Sequence, residues 1–164
     1  MAKKVVDESR VRTAAAAPAA PRGCTNLKLK QASRLVARHY EPQLAAAGLR
    51  QTQYSLLSAV VKLGPLRLGE LAAALRLDAS TLSRNLQPLL DRGLAEVQAD
   101  DHDARGRIVQ ATAAGRDLRE AAQKAWKRAQ LALNDKLGAA RVAALHALLD
   151  ECMAVLAEAE TDHE

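Results

Sequence analysis

Phenylalanine is absent from the 164 residues, and tryptophan and tyrosine together number three. The interior must therefore be built from small and aliphatic side chains, which alanine (36) and leucine (26) supply. Both favour helices, so the composition points to a mainly α protein. Cysteine is scarce too: Cys24 and Cys152 stand 128 positions apart without a CxxC pair, which argues against a disulfide framework or a zinc-ribbon knuckle. Four scattered histidines add no metal-ligand spacing. No Gly-rich phosphate loop, Ser-His-Asp, Cys-His or paired-carboxylate arrangement can be assembled from the spacings present. An enzyme is not expected, nor is a cofactor or a bound metal. No apolar run approaches the roughly 18 to 20 residues that a bilayer crossing needs, and the N-terminus lacks the apolar stretch of a secretory signal. A cytoplasmic protein with no membrane partner is expected.

The length suits one domain with its own core. The net charge is +5, unevenly spread. Residues 1–26 carry five basic and two acidic side chains, residues 27–110 twelve and eight, and residues 111–164 seven and nine. A basic front and middle suit a polyanionic partner such as nucleic acid, although many soluble proteins carry a similar excess.

Residues 1–25 are charged or low-complexity, with Ala14 to Ala17, Pro18, Pro21 and Gly23, and read as a flexible basic arm. From Asn26, an expected N-cap, Leu27, Ala32, Leu35, Val36, Tyr40 and Leu44 recur at helical spacing until Gly48, with a bend expected at Pro42. Gln51 to Leu63 form a more apolar, buried helix stopped by Gly64-Pro65. Two short helices, about Gly69 to Leu75 and Ala79 to Leu90, are separated only by Arg76, Leu77 and Asp78, a helix-turn-helix length pattern. Leu94 to Gln98 and Arg107 to Ala111 then read as strands of a β-hairpin around a polar loop, Ala99 to Gly106. A long helix follows from Ala113 to about Leu137, breaks at Gly138, and resumes to about Glu160. In the last helix Leu145, Leu149, Cys152, Leu156 and Ala159 make a seam for another helix, from a second copy or from the same chain.

On the second short helix, Leu82, Leu86 and Leu89 mark the buried side. Ser80, Arg84 and Gln87 then point away, Thr81 and Ser83 flank them, and Asn85 lies nearer the buried edge. Short hydroxyls and an arginine near the N-terminus of an exposed helix suit a major-groove reader, because small side chains permit close approach and arginine bonds guanine bidentately. Asp78 is placed to cap this helix. Any amphipathic helix has a polar face, so the signal lies in the order: helix-turn-helix, then a hairpin carrying Asp103-Ala104-Arg105-Gly106-Arg107. An arginine on such a loop can enter a minor groove or grip a phosphate. Asp100, Asp101, His102 and Asp103 resemble a metal cluster only in composition; a hydrated acidic loop is the expectation.

In order and spacing, Gly69-Glu70-Leu71-Ala72, Asp78 to Arg84, Asp91-Arg92-Gly93-Leu94, Asp103-Ala104-Arg105, Val109, Thr112 and Gly115 resemble the MarR family of winged-helix transcriptional regulators, over about residues 27–160. The resemblance implies a helical dimerisation lobe (26–48 and 112–164) and a winged helix-turn-helix DNA-binding lobe (49–111) with a small β-hairpin wing. It implies a homodimer on an inverted repeat of double-stranded DNA, a repressor released by a small anionic or phenolic effector or by cysteine oxidation. Expected DNA contacts are Ser80, Thr81, Ser83, Arg84, Asn85, Gln87, Arg105 and Arg107. Arg38, His39, Tyr40, Gln53 and Tyr54 are expected to line the effector pocket where the first two helices meet the fifth, or to be ordinary core and surface residues. Cys24, between Arg22 and Lys28, is the redox candidate, with an inert thiol as the alternative. Three departures from the family pattern stand out: Ala111 where a leucine is usual, Gly106 in the wing, and Pro88 inside the recognition helix. The competing class is a helical protein-interaction module whose basic face is incidental.

Overall fold

The computed structural model describes residues 22–100 and 103–161, excluding the side chains of 103–105 and 159–161. Its elements are α1 (Thr25–Ala46), α2 (Gln51–Leu63), β1 (Leu66–Arg67), α3 (Leu68–Ala74), α4 (Ala79–Asp91), β2 (Ala95–Asp100), β3 (Asp103–Ala111), α5 (Ala113–Leu137) and α6 (Ala139–Thr161). The fold is mainly helical with one small antiparallel sheet, ordered β1-β3-β2.

Three details differ from the sequence expectation. Asn26 lies inside the first turn of α1 rather than capping it, because the first helical bond already runs from Lys28 N–H to the Cys24 carbonyl at 3.1 Å. The hairpin is longer than expected, with Asp100 pairing Asp103, so most of the anticipated loop is strand. A third strand, β1, pairs Leu66 with Val109 and Arg67 with Ile108; at two residues it is too short to show any periodicity.

The helix ends share one solution. After α1, α3 and α4, the N–H of Leu49, Leu77 and Leu94 returns to the carbonyl of Leu44, Ala72 and Leu89 respectively, at 2.9 to 3.0 Å. This closure needs a left-handed residue just before each leucine. Gly48 and Gly93 supply it at φ +84° and +64°, and Arg76, strained at φ +50°, supplies it in the turn between α3 and α4. Leu49 and Leu94 are buried as a result, which sets where the next segment begins.

The core is aliphatic: Leu44, Leu49, Leu57, Val60, Leu71, Leu89 and Val109 are fully buried. From α5 come Ala122, Ala125 and Ala129, also buried, whose small side chains let α1 and α2 pack close to its axis. Tyr40 donates its hydroxyl to Gln130 Oε1, and His39 Nε2 lies 3.0 Å from the Ala129 carbonyl, so α1 is pinned to α5 by polar contacts as well. Burial raises the Tyr40 pKa above that of a free phenol.

The wing joins α5 through one threonine. Thr112 accepts from Gly115 N–H at 3.0 Å as the N-cap and donates its hydroxyl to the Gly93 carbonyl at 2.7 Å. Gly115 thereby lies against the backbone of Leu94: a Cβ there would stand 1.9 Å from the Leu94 carbonyl oxygen. Ala111, with Ala95 opposite it, is buried at the foot of the wing, where the shorter side chain is accommodated. At the far end of the chain α6 packs against α5 and leaves Leu145, Leu148, Cys152, Val155 and Leu156 exposed at helical spacing. Leu149 is half-buried, and the side chain of Ala159 lies outside the described residues. No described helix is long and apolar enough to cross a membrane.

Candidate nucleic-acid interface

Helix α4 is held from behind by Leu82, Leu86 and Leu89, all buried, so its outer face is fixed by the core. Ser80, Ser83, Arg84 and Gln87 are exposed on that face, while Thr81 and Asn85 are half-buried at its edges. The helix continues through Pro88 to Asp91. Proline has no N–H to return to the Arg84 carbonyl, so that carbonyl loses its usual partner.

Asp78 organises the first turn. Its Oδ1 accepts from Thr81 N–H at 2.8 Å and from the Ser80 hydroxyl at 2.6 Å, and its Oδ2 accepts from the Thr81 hydroxyl at 2.7 Å. Stabilised by the Ser80 hydroxyl first and then by Thr81, this carboxyl is held well below the usual carboxylate range and stays ionised. With both hydroxyl hydrogens committed to Asp78, Ser80 and Thr81 present lone pairs to any partner. Arg84 lies back along the same turn, its Nε 3.3 Å from the Ser80 carbonyl and Nη2 3.3 Å from the Thr81 hydroxyl. Gln87 donates to Asp91 at 2.6 Å. The polar face is thus internally hydrogen-bonded and preorganised, with the Arg84 guanidinium as its exposed cation.

The hairpin carries a second cation. Arg107 on β3 is exposed opposite Ala99, whereas the Arg105 side chain lies outside the described residues. The acidic loop departs from expectation at one position: Asp100 is buried rather than hydrated, and Arg67 grips it, with Nε 2.9 Å and Nη2 2.6 Å from Oδ2. Asp101 and His102 lie outside the described residues.

A cavity of about 400 Å³ opens between α2 and α5, lined among others by Tyr54, Ser58, Lys62, Arg119, Gln123 and Trp126. Tyr54 and Trp126 stack along one wall, centroids 6.3 Å apart at 22°. Arg119 is steadied by Gln123 Oε1 at 2.8 Å and the Ser58 hydroxyl at 3.4 Å. Lys62 and Arg119 give this lining two cations and no carboxylate. Of the five residues expected to line a pocket, Tyr54 does so. Tyr40 and His39 fasten α1 to α5, Arg38 bonds the Arg34 carbonyl on the surface, and Gln53 Oε1 accepts from Arg50 N–H at the start of α2. The cations and the tryptophan were missed by sequence reasoning. Tyr54, Ser58 and Lys62 repeat every four residues, and Arg119, Gln123 and Trp126 at four and three, so each set was legible as one helix face. Cys24 is exposed at the N-cap position of α1, without a side-chain capping bond.

A three-helix core ending in a helix-turn-helix and an antiparallel hairpin defines a winged helix. Residues 47–106 match the MarR family. Among solved structures, an M. tuberculosis transcriptional regulator, MosR, in complex with DNA is 28% identical, with a TM-score of 0.64 over 79% of this chain and 98% of that one. A probable transcriptional regulator from Pseudomonas aeruginosa is 26% identical, with a TM-score of 0.71 over 78% of this chain and 96% of that one. A mutant of E. coli MarR complexed with operator DNA is similar in fold, at 22% identity and a TM-score of 0.70 over 77% and 91% of the two chains. No curated protein matches by sequence. The chain has a winged-helix fold, and its residues 47–106 carry the likeness to the MarR family of transcriptional regulators.

Proposed function

We propose that the protein is a homodimeric, sequence-specific repressor that binds an inverted repeat of double-stranded DNA and is released from it by a small anionic, aromatic effector. The observation that carries this reading is an exposed α4 face, centred on Arg84, in a helix-turn-helix that is followed by a hairpin carrying the exposed Arg107. In it, α4 enters the major groove with Arg84 on a base edge, while Ser80, Thr81, Ser83, Asn85 and Gln87 surround that contact and Arg105 and Arg107 reach the adjacent backbone or minor groove. Residues 49–111 form the DNA-binding lobe, and 26–48 with 112–164 the dimerisation lobe.

Arg84→Ala is the direct test. Loss of one bidentate base contact costs about 1 to 3 kcal/mol, roughly a 10- to 100-fold rise in Kd, and relaxes preference at the contacted base. The measurement is fluorescence anisotropy against duplexes that the parent protein selects from a random pool, at several salt concentrations. Binding by the parent that is insensitive to salt and sequence would instead favour a helical protein-interaction module.

The effector reading rests on the cavity between α2 and α5, where two cations face an aromatic wall. Because Trp126 is the sole tryptophan, its fluorescence reports occupancy directly. Titration with benzoate-type acids is expected to quench it and release the duplex, with Arg119→Ala weakening both effects by about tenfold, as one lost charge-assisted contact implies. Quenching unchanged by Arg119→Ala would remove the cations from ligand capture. Thiol oxidation at Cys24 is the alternative trigger; its support is the exposure of the sulfur at the start of α1.

A further inference from the structure

Strand alternation would place Asp100 outside. On β2, Ala95 is buried and Val97 half-buried, whereas Glu96 and Gln98 are exposed, so position 100 belongs with the outward set. The register between β2 and β3 shifts between Ala99 and Asp100, and this irregularity turns the carboxylate inward until it is 6% exposed. What it meets there is Arg67, at the junction of β1 and α3. The Arg67 main-chain N–H is itself bound by Glu70 Oε2 at 2.8 Å, which ties that junction to the first turn of α3. With the Asp100 side chain buried and that of Arg67 half-exposed, the pair is weak support for stability but defines geometry, because a buried carboxylate does not tolerate losing its partner.

We propose that the Arg67–Asp100 pair is the positioning clamp of the wing: it fastens the end of the hairpin to the start of the helix-turn-helix and so sets where Arg107 stands relative to Arg84. The inference rests on the DNA-binding reading above. Arg67 and Asp100 are positioning residues, and their effect passes through the wing.

The clamp makes an expectation opposite to simple electrostatics. Asp100→Ala removes a negative charge from a surface that faces a polyanion, so charge alone would tighten binding. With the clamp lost, binding weakens instead, by about tenfold, as for the loss of the wing's backbone contacts. The variant leaves the half-exposed Arg67 in place, and the double variant Arg67→Ala/Asp100→Ala removes both charges of the pair and keeps the net charge unchanged. Full-length protein is titrated with the duplex that the parent selects from a random pool, and thermal melts verify that each variant is folded. Both variants are expected to weaken binding similarly, to retain the base preference set by Arg84, and to make Arg107→Ala nearly silent although it weakens the parent. Asp100→Ala binding as tightly as the parent or tighter, or effects of the double variant and Arg107→Ala that simply multiply, would overturn the clamp. Weakening by Arg67→Ala alone, with Asp100→Ala unaffected, would also overturn it and make Arg67 a direct phosphate contact. If the parent selects no duplex, the DNA-binding reading itself fails; if the parent binds and Arg84→Ala does not, while the clamp variants match the parent, the clamp alone fails.

Discussion

Gly115→Ala is expected to destabilise the protein by about 3 kcal/mol, the upper part of the range for forcing an extra carbon into a packed site. The added methyl would sit 1.9 Å from the Leu94 carbonyl oxygen and 2.8 Å from its carbonyl carbon. These are backbone atoms, so no rotamer change relieves the clash. Relief requires the first turn of α5 to move away from the foot of the wing, which breaks the Thr112 bonds to Gly93 and Gly115. Thermal denaturation should show a fall in Tm of about 10 °C for a domain of this size. Gly69→Ala is the matched control. Nothing lies within 4 Å of its added methyl, and alanine in place of a helical glycine should stabilise by about 0.5 to 1 kcal/mol. Equal melting of the Gly115 variant and the parent would show that α5 and the wing are not in backbone contact.

The second large effect is expected on α6. Leu148, Val155 and Leu156 are at least 60% exposed, on a helix that touches only α5 appreciably. Such a stripe is costly in water and is normally covered. On α1, Leu27, Leu35 and Val36 are exposed as well. Under the dimer proposal, two-fold pairing buries both sets. Leu148→Glu/Val155→Glu places charges in that seam without touching the core, so sedimentation equilibrium should report a monomer with a native helical spectrum. Affinity for an inverted repeat should then fall by about 100-fold or more, because the second half-site no longer binds intramolecularly, while affinity for a single half-site changes little. A variant that remains dimeric places the pairing surface elsewhere.

The helices were legible because their signals are local. Gln51 to Leu63 was bounded by its periodicity and by Gly64-Pro65, and α5 by Gly138, where the chain takes φ +83°. Asp78 before Ala79 announced the cap that the structure shows. The wing was legible in kind but not in extent, since polar residues from Ala99 to Gly106 suggest a loop by composition while the ladder to β2 holds much of that stretch in strand. Leu66–Arg67 carries no pattern of its own and becomes a strand only because β3 offers it a partner.

What the sequence determined by itself was helix content, the helix-turn-helix with its hairpin, and the polar outer face of α4, because each depends on residues within a few positions of one another. Tertiary structure alone decided that Tyr54 and Lys62 face Arg119 and Trp126 across a cavity, that Tyr40 is spent on Gln130, and that Asp100 turns inward to Arg67. Those partners lie tens of residues apart, and helical or strand periodicity gives a side chain its face but not the element that face will meet.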